Sequence, residues 1–139
     1  MYLLDTNIIS EVRKISQNKA NQGVIQWVSS IEFDQCYISA ITLLELEQGI
    51  LRVKHRGDIA QYFQLQQWFD QYVLPTFKGR ILSIDEHTVR ICAQLHVPDK
   101  RPYNDALIAA CAIQHKLTLV TRNTTDFIAL NVPLFDPFQ

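Results

Sequence analysis

The sequence predicts an α/β fold built on a mostly parallel sheet, and two observations carry that reading. Short apolar runs alternate with stretches whose apolar residues recur at helical spacing, the pattern of strand–helix–strand units. Four acidic residues, Asp5, Glu45, Asp105 and Asp126, each fall where such a run gives way to a helix. A parallel sheet brings those junctions to one edge, and that edge is where α/β proteins bind ligands.

Tyr2 to Leu4 reads as a short buried strand, and Asp5 or Thr6 caps a helix carrying Ile8, Ile9 and Val12. The polar stretch 14–21 reads as a loop, after which Val24, Trp27, Val28 and Ile31 restore the helical period. Cys36 to Ser39 is a second strand, followed by a helix over about 41–54. Gly57 separates this from a helix bearing Ile59, Tyr62, Phe63, Trp68, Phe69, Tyr72 and Val73. Lys78, Gly79 and Arg80 turn the chain into a strand from Ile81 to Ile84. Asp85 opens a helix expected to carry Val89, Cys92, Ala93 and His96 on one stripe, and Pro98 and Pro102 bracket a basic loop. Asn104 is expected to cap an alanine-rich helix reaching Lys116. Leu117 to Thr121 and Pro133 to Phe135 read as strands, with a short helical piece at Thr124 to Phe127. No linker or repeat interrupts the pattern, so one domain is expected over residues 1–139.

A hydrophobic content of 47% with 19% charged residues is that of a folded soluble chain, not a disordered one. The formal net charge of −1 excludes nucleic-acid binding by bulk basicity and leaves only local phosphate contacts. Cys36, Cys92 and Cys111 show no metal-ligand spacing and read as reduced, buried thiols of a cytoplasmic protein. Met1 leads directly into an apolar strand, so neither a signal peptide nor a membrane span is expected.

Taken singly, each of the three aspartates reads as a helix cap or a first-turn acid. Together they read differently. Acids gathered without a Lys or Arg among them repel strongly, and a hard divalent cation is the usual remedy. Oxygen-only ligation favours Mg²⁺ or Mn²⁺ over zinc, and His55, His87, His96 and His115 form no competing motif. Glu45 shares a helical sector with Thr42, Gln48, Gly49 and Arg52, whereas Glu47 falls among Leu43, Leu44, Ile50 and Leu51. Periodicity alone therefore turns Glu45 toward water. Thr6 and Asn7 beside Asp5, and Thr121 and Asn123 ahead of Asp126, are placed either to orient carboxylates or to close local turns. Arg13 with Lys14, Arg52 with Lys54 and Arg56, Lys100 with Arg101, and Arg122 are the basic groups available to phosphates.

The segments LLDTNIISE, SAITLLELEQG, DALIAACAIQHKLTLVTRNTTDF and LFDPF, in that order, resemble the PIN-domain family along essentially the whole chain. They are most similar to VapC-type toxins of toxin–antitoxin pairs, and GRILSIDE with the LFDPF ending resembles the FitB-like branch. The resemblance implies a three-layer α/β/α domain and a Mg²⁺- or Mn²⁺-dependent ribonuclease. Its catalytic and metal-binding acids match Asp5, Glu45, Asp105 and Asp126 here, so it selects Glu45 over Glu47. It further implies hydrolysis of transfer RNA or another structured RNA to a 5′-phosphate, and a cognate VapB- or FitA-like antitoxin. DNA contact is then expected only through the antitoxin complex, and a homodimer or larger assembly is expected. The aromatic stretch from Tyr62 to Tyr72 reads as a partner groove, a dimer contact or internal core. Two other classes stand against this reading. One is a different Mg²⁺-dependent phosphoryl-transfer hydrolase, although Asn7 stands where a dehalogenase-type site needs a second Asp. The other is a non-catalytic α/β interaction module, against which the presence of all four acids counts.

Overall fold

The computed structural model describes residues 1–139. The chain runs β1 (Tyr2–Leu4), α1 (Thr6–Arg13), α2 (Gln22–Ser30), β2 (Cys36–Ser39) and α3 (Ala40–His55). It continues through α4 (Ile59–Trp68), α5 (Leu74–Thr76), β3 (Ile81–Leu82), α6 (Glu86–Leu95), α7 (Tyr103–His115), β4 (Thr118–Val120), α8 (Thr124–Phe127) and β5 (Leu134–Phe135). All the strand pairings are parallel, in the spatial order β3-β2-β1-β4-β5. The chain steps outward from β1 on one side, then crosses back to β4 on the other. The topological switch point therefore lies between β1 and β4, where a parallel sheet opens a crevice.

Strand alternation builds two cores from one sheet. Leu3 and Leu119 face the layer of α7, packing with Ile108, Ala109, Ala112, Phe127 and Leu130. Leu4 and Val120, one residue on, face α1 and α3, packing with Ile8, Ile9, Leu46, Ile50, Phe69 and Val73. The result is the three-layer α/β/α arrangement. Ala106, Ala109, Ala110 and Ala112 are fully buried, and their small side chains let α7 lie close to the sheet. Cys36, Cys92 and Cys111 are free and buried, as their apolar neighbours predict.

Several elements differ in detail from the sequence reading. Strands β3, β4 and β5 are shorter than expected, and a 3₁₀ turn at Lys14–Gln17 replaces part of the expected loop. The inward stripe of α6 is Thr88, Ile91, Cys92 and Leu95, while Val89 and Ala93 lie exposed. The cause is polar. Asp85 and Thr88 form a reciprocal capping box, and the buried Thr88 hydroxyl also meets Gln114 of α7, which turns the helix round. The long aromatic helix widens into a π-helical turn at Phe69–Val73, so Phe69 and Val73 become core while Phe63 and Tyr72 remain exposed.

The C-terminus is fastened to α2. Asn21 donates from Nδ2 to the Gln139 carbonyl, and its Oδ1 accepts from the backbone N–H groups of Gly23 and Gln139. Trp27 packs edge-on to Tyr2 and against Phe135. Gly23 makes this closeness possible, since a Cβ there would lie 2.2 Å from the Pro137 carbonyl oxygen. Gly23→Ala is accordingly expected to displace the tail and lower stability by about 1–3 kcal/mol, an overpacking cost. An unchanged urea midpoint would show that the tail contributes nothing at this contact.

Candidate active site

Asp5 ends β1 at the switch point and caps α1, accepting from Thr6 N at 2.8 Å. Its other oxygen accepts from the Thr121 hydroxyl at 2.7 Å and from Asn7 Nδ2 at 3.3 Å. Asn7 is held in turn by the Arg122 backbone N–H, which reaches its Oδ1 at 3.2 Å. Loops from β1 and β4 thus close on one carboxylate that is only 5% exposed. Asn123 acts otherwise than its side chain led one to expect: it contributes its backbone N–H to the Thr121 hydroxyl. No side-chain hydrogen bond joins Asn123 to an acid.

Glu45 lies on the inner side of α3, against the expectation from periodicity. The buried stripe of that helix is Ile41, Thr42, Leu46, Ile50 and Val53, while Leu44, Glu47 and Leu51 face solvent. The polar sector holding Thr42, Glu45 and Gly49 therefore turns toward α1. There Thr6 Oγ1 donates to Glu45 Oε1 at 2.6 Å, and Asn104 Nδ2 approaches Glu45 Oε2 at 3.4 Å. Helix α7 begins after Pro102, so Asn104 sits in its first turn and does not cap it.

Asp105 is half-buried in the first turn of α7, and Asp126 is exposed in α8. Burial, followed by the charges of Asp5, Asp126 and Glu45, pushes the Asp105 carboxyl up to about 6 from the ordinary 3.8. Burial likewise raises Asp5 against the donors that hold it, and Glu45 adds to the effect. Asp105 is thus within electrostatic reach of the other three predicted acids, and Asp5 within reach of Glu45. None forms a salt bridge, because the ion pair in the fold is Lys14 with Glu11. No three acids stand close enough here to ligate one ion directly. The donor set still fits a hard cation: all oxygen and net negative, with Asp5 and Glu45 oriented by neutral hydroxyls and amides. Mg²⁺ in particular uses few protein ligands and retains several waters.

Of the basic groups, Arg13 and Lys14 line a groove with Thr6, Ser10, Glu45, Gly49 and Trp68. Lys100 lies over Tyr103, Lys54 over Tyr62 and Arg122 over Phe138. His96, which carried no motif, accepts from the Arg101 N–H through Nδ1 and so fastens the loop that leads into α7.

The PIN-domain profile matches residues 2–131. The chain is 38% identical to Toxin FitB of Neisseria gonorrhoeae over 147 aligned positions, covering 100% of this chain and 99% of that protein. It is 32% identical to a VapC ribonuclease of Sinorhizobium fredii, with 100% and 99% covered. Among solved structures, FitAcB of Neisseria gonorrhoeae superposes with a TM-score of 0.87 at 37% identity over 99% of this chain and 98% of that one. VapBC2 of Rickettsia felis, bound to a DNA fragment from its promoter, gives 0.74 at 25% identity over 97% of each chain.

The raised Asp105 carboxyl has a thermodynamic consequence. Its folded pKa exceeds its unfolded one, so ionising it disfavours the fold. The penalty is absent below about pH 4, grows as pH rises toward 6, and is constant above. In metal-free buffer Asp105→Asn should therefore stabilise the chain at pH 7.5 by about 1 kcal/mol, after allowance for solvent screening. The gain should vanish at pH 4, and an equal gain at both pH values in urea unfolding would contradict the origin assigned to it.

Proposed function

This chain belongs to the PIN-domain family, and from that premise we propose that it is the toxin of a toxin–antitoxin pair, a ribonuclease that works with Mg²⁺ or Mn²⁺. The observation that carries the reading is the uncompensated acidic cluster at the switch point. The similarity to Toxin FitB and to a VapC ribonuclease runs the length of the chain and supports the same activity. We read residues 1–139 as a single domain, a reading supported by the membership of β1 and β5 in one sheet.

Asp5, Glu45, Asp105 and Asp126 would hold the ion. When bound, it supplies positive charge against the scissile phosphate and the leaving oxygen, and it acidifies water. The chain's own residues do the rest. Thr6, Asn7 and Thr121 fix the Asp5 carboxylate, and Thr6 also fixes Glu45, so these two acids are already oriented before an ion enters. Arg13 and Lys14, at the groove beside Glu45, bind backbone phosphates of the RNA and set its register. The substrate is transfer RNA or another structured RNA, hydrolysed in the cytoplasm to leave a 5′-phosphate. No helix is long and apolar enough to cross a membrane.

The partner is a VapB- or FitA-like antitoxin, through which the complex reaches DNA. The groove along α1 continues past Arg13 and Trp68 to Val12, Ile15, Val28 and Tyr72, an apolar path suited to a partner segment. An antitoxin Arg entering among the acids would pair with them and displace the metal. Leu44 and Leu51 of α3 and Ile59 and Phe63 of α4 leave apolar surface for a homodimer or a larger assembly.

Purified chain should cleave RNA with Mg²⁺ or Mn²⁺ and lose that activity in EDTA. Asp5→Asn should lower it by more than the ~100-fold that removal of an outer-shell partner can cost. Metal-dependent cleavage by Asp5→Asn at the wild-type rate would remove the acids from the chemistry. Adding the protein encoded by the adjacent reading frame should suppress cleavage; undiminished activity in a stable complex would count against inhibition at this site.

A further inference from the structure

Asp5 and Glu45 are held in different ways, and the difference singles out one residue. The donors to Asp5 come from its own loop and from the loop after β4, next to the strand that carries it. Glu45 lies on the longer side chain, with more rotamer freedom to lose, and is half-buried on α3. One of its oxygens is taken by Thr6. The other is met from across the cleft by the Asn104 amide, so α1, α3 and α7 converge on this one carboxylate.

We infer that Asn104 is a positioning residue for Glu45, setting its carboxylate for the divalent ion; the inference rests on the metal-dependent reading above. The residue type at position 104 fits this task. A Lys or Arg there would hold Glu45 more firmly but would neutralise the cluster and oppose a cation. An Asp would add a fifth like charge and no donor. A neutral amide orients the oxygen and leaves the net charge of the site untouched. The contact at 3.4 Å is long for a hydrogen bond, so the amide steers the oxygen without competing strongly with a metal for it. Asn104 also directly precedes Asp105 on the first turn of α7. One helix start therefore supplies an acid of the cluster and the group that orients another.

The test is Mn²⁺ binding to the full chain, free of antitoxin, by titration calorimetry, with unfolding in EDTA measured alongside. Asn104→Ala should weaken Mn²⁺ binding about tenfold, and Asn104→Gln, which restores the amide, should stay within about twofold of wild type. Neither should move the unfolding midpoint in EDTA. Wild-type affinity in Asn104→Ala would overturn the inference, as would equal losses in both variants accompanied by lowered stability, the mark of a merely structural role. A wild-type chain that binds no Mn²⁺ would overturn the metal-dependent reading itself, before Asn104 enters.

Discussion

Like charges at the carboxyl edge of the sheet repel one another, and the two that are held by hydrogen bonds, Asp5 and Glu45, are held by neutral groups alone. Asp5 is nearly buried, yet hydroxyl, amide and backbone N–H donors surround it where a cation would have relieved it. Burial first, and then the charges of Asp5, Asp126 and Glu45, push the Asp105 carboxyl above the ordinary aspartate range. A fold under selection for stability alone would place an Arg here, or remove the acids. Much of the architecture exists to keep them in place. The strand order puts Asp5 and Thr121 side by side, the buried alanines bring α7 close enough for Asp105 to join, and Thr6 reaches across to Glu45.

The same arrangement explains a division of labour among the basic residues. None forms a salt bridge with the four acids, so their charge stays uncompensated by direct pairing. Arg13 and Lys14 stand along the adjoining groove. Lys54, Lys100 and Arg122 lie over aromatic rings, as Arg13 does over Trp68, and none of them forms a salt bridge with an acid. The net charge of −1 thus conceals a local separation of sign, and a nuclease needs that separation more than it needs overall basicity.

What was legible in the sequence follows from what depends on local pattern. The strand leading to Asp5, its capping role and the alanine-rich helix all rest on short-range periodicity and cap chemistry, and these appear where the residues place them. Orientation of α3 was not legible. Its apolar residues are spread round the helix, and the buried stripe includes Thr42, whose hydroxyl is satisfied only by the tertiary partner Thr6. Family resemblance singled out Glu45 where periodicity could not. Asn104 read as a cap because its neighbours favour one, and only the meeting of α3 with α7 gives its amide another partner. The docking of the C-terminus on Gly23 was equally invisible, being a contact between opposite ends of the chain.

The central claim is that the cluster is charged in order to receive a divalent ion. Carboxyl-carbon NMR of Asp105, titrated with and without Mg²⁺, tests it most directly. Without the ion the carboxyl should titrate near 6, and with Mg²⁺ its pKa should fall below the ordinary aspartate range as the cation favours the charged form. A carboxyl that titrates like an ordinary aspartate under both conditions would contradict the account, since it would show neither repulsion in the empty site nor an ion to relieve it.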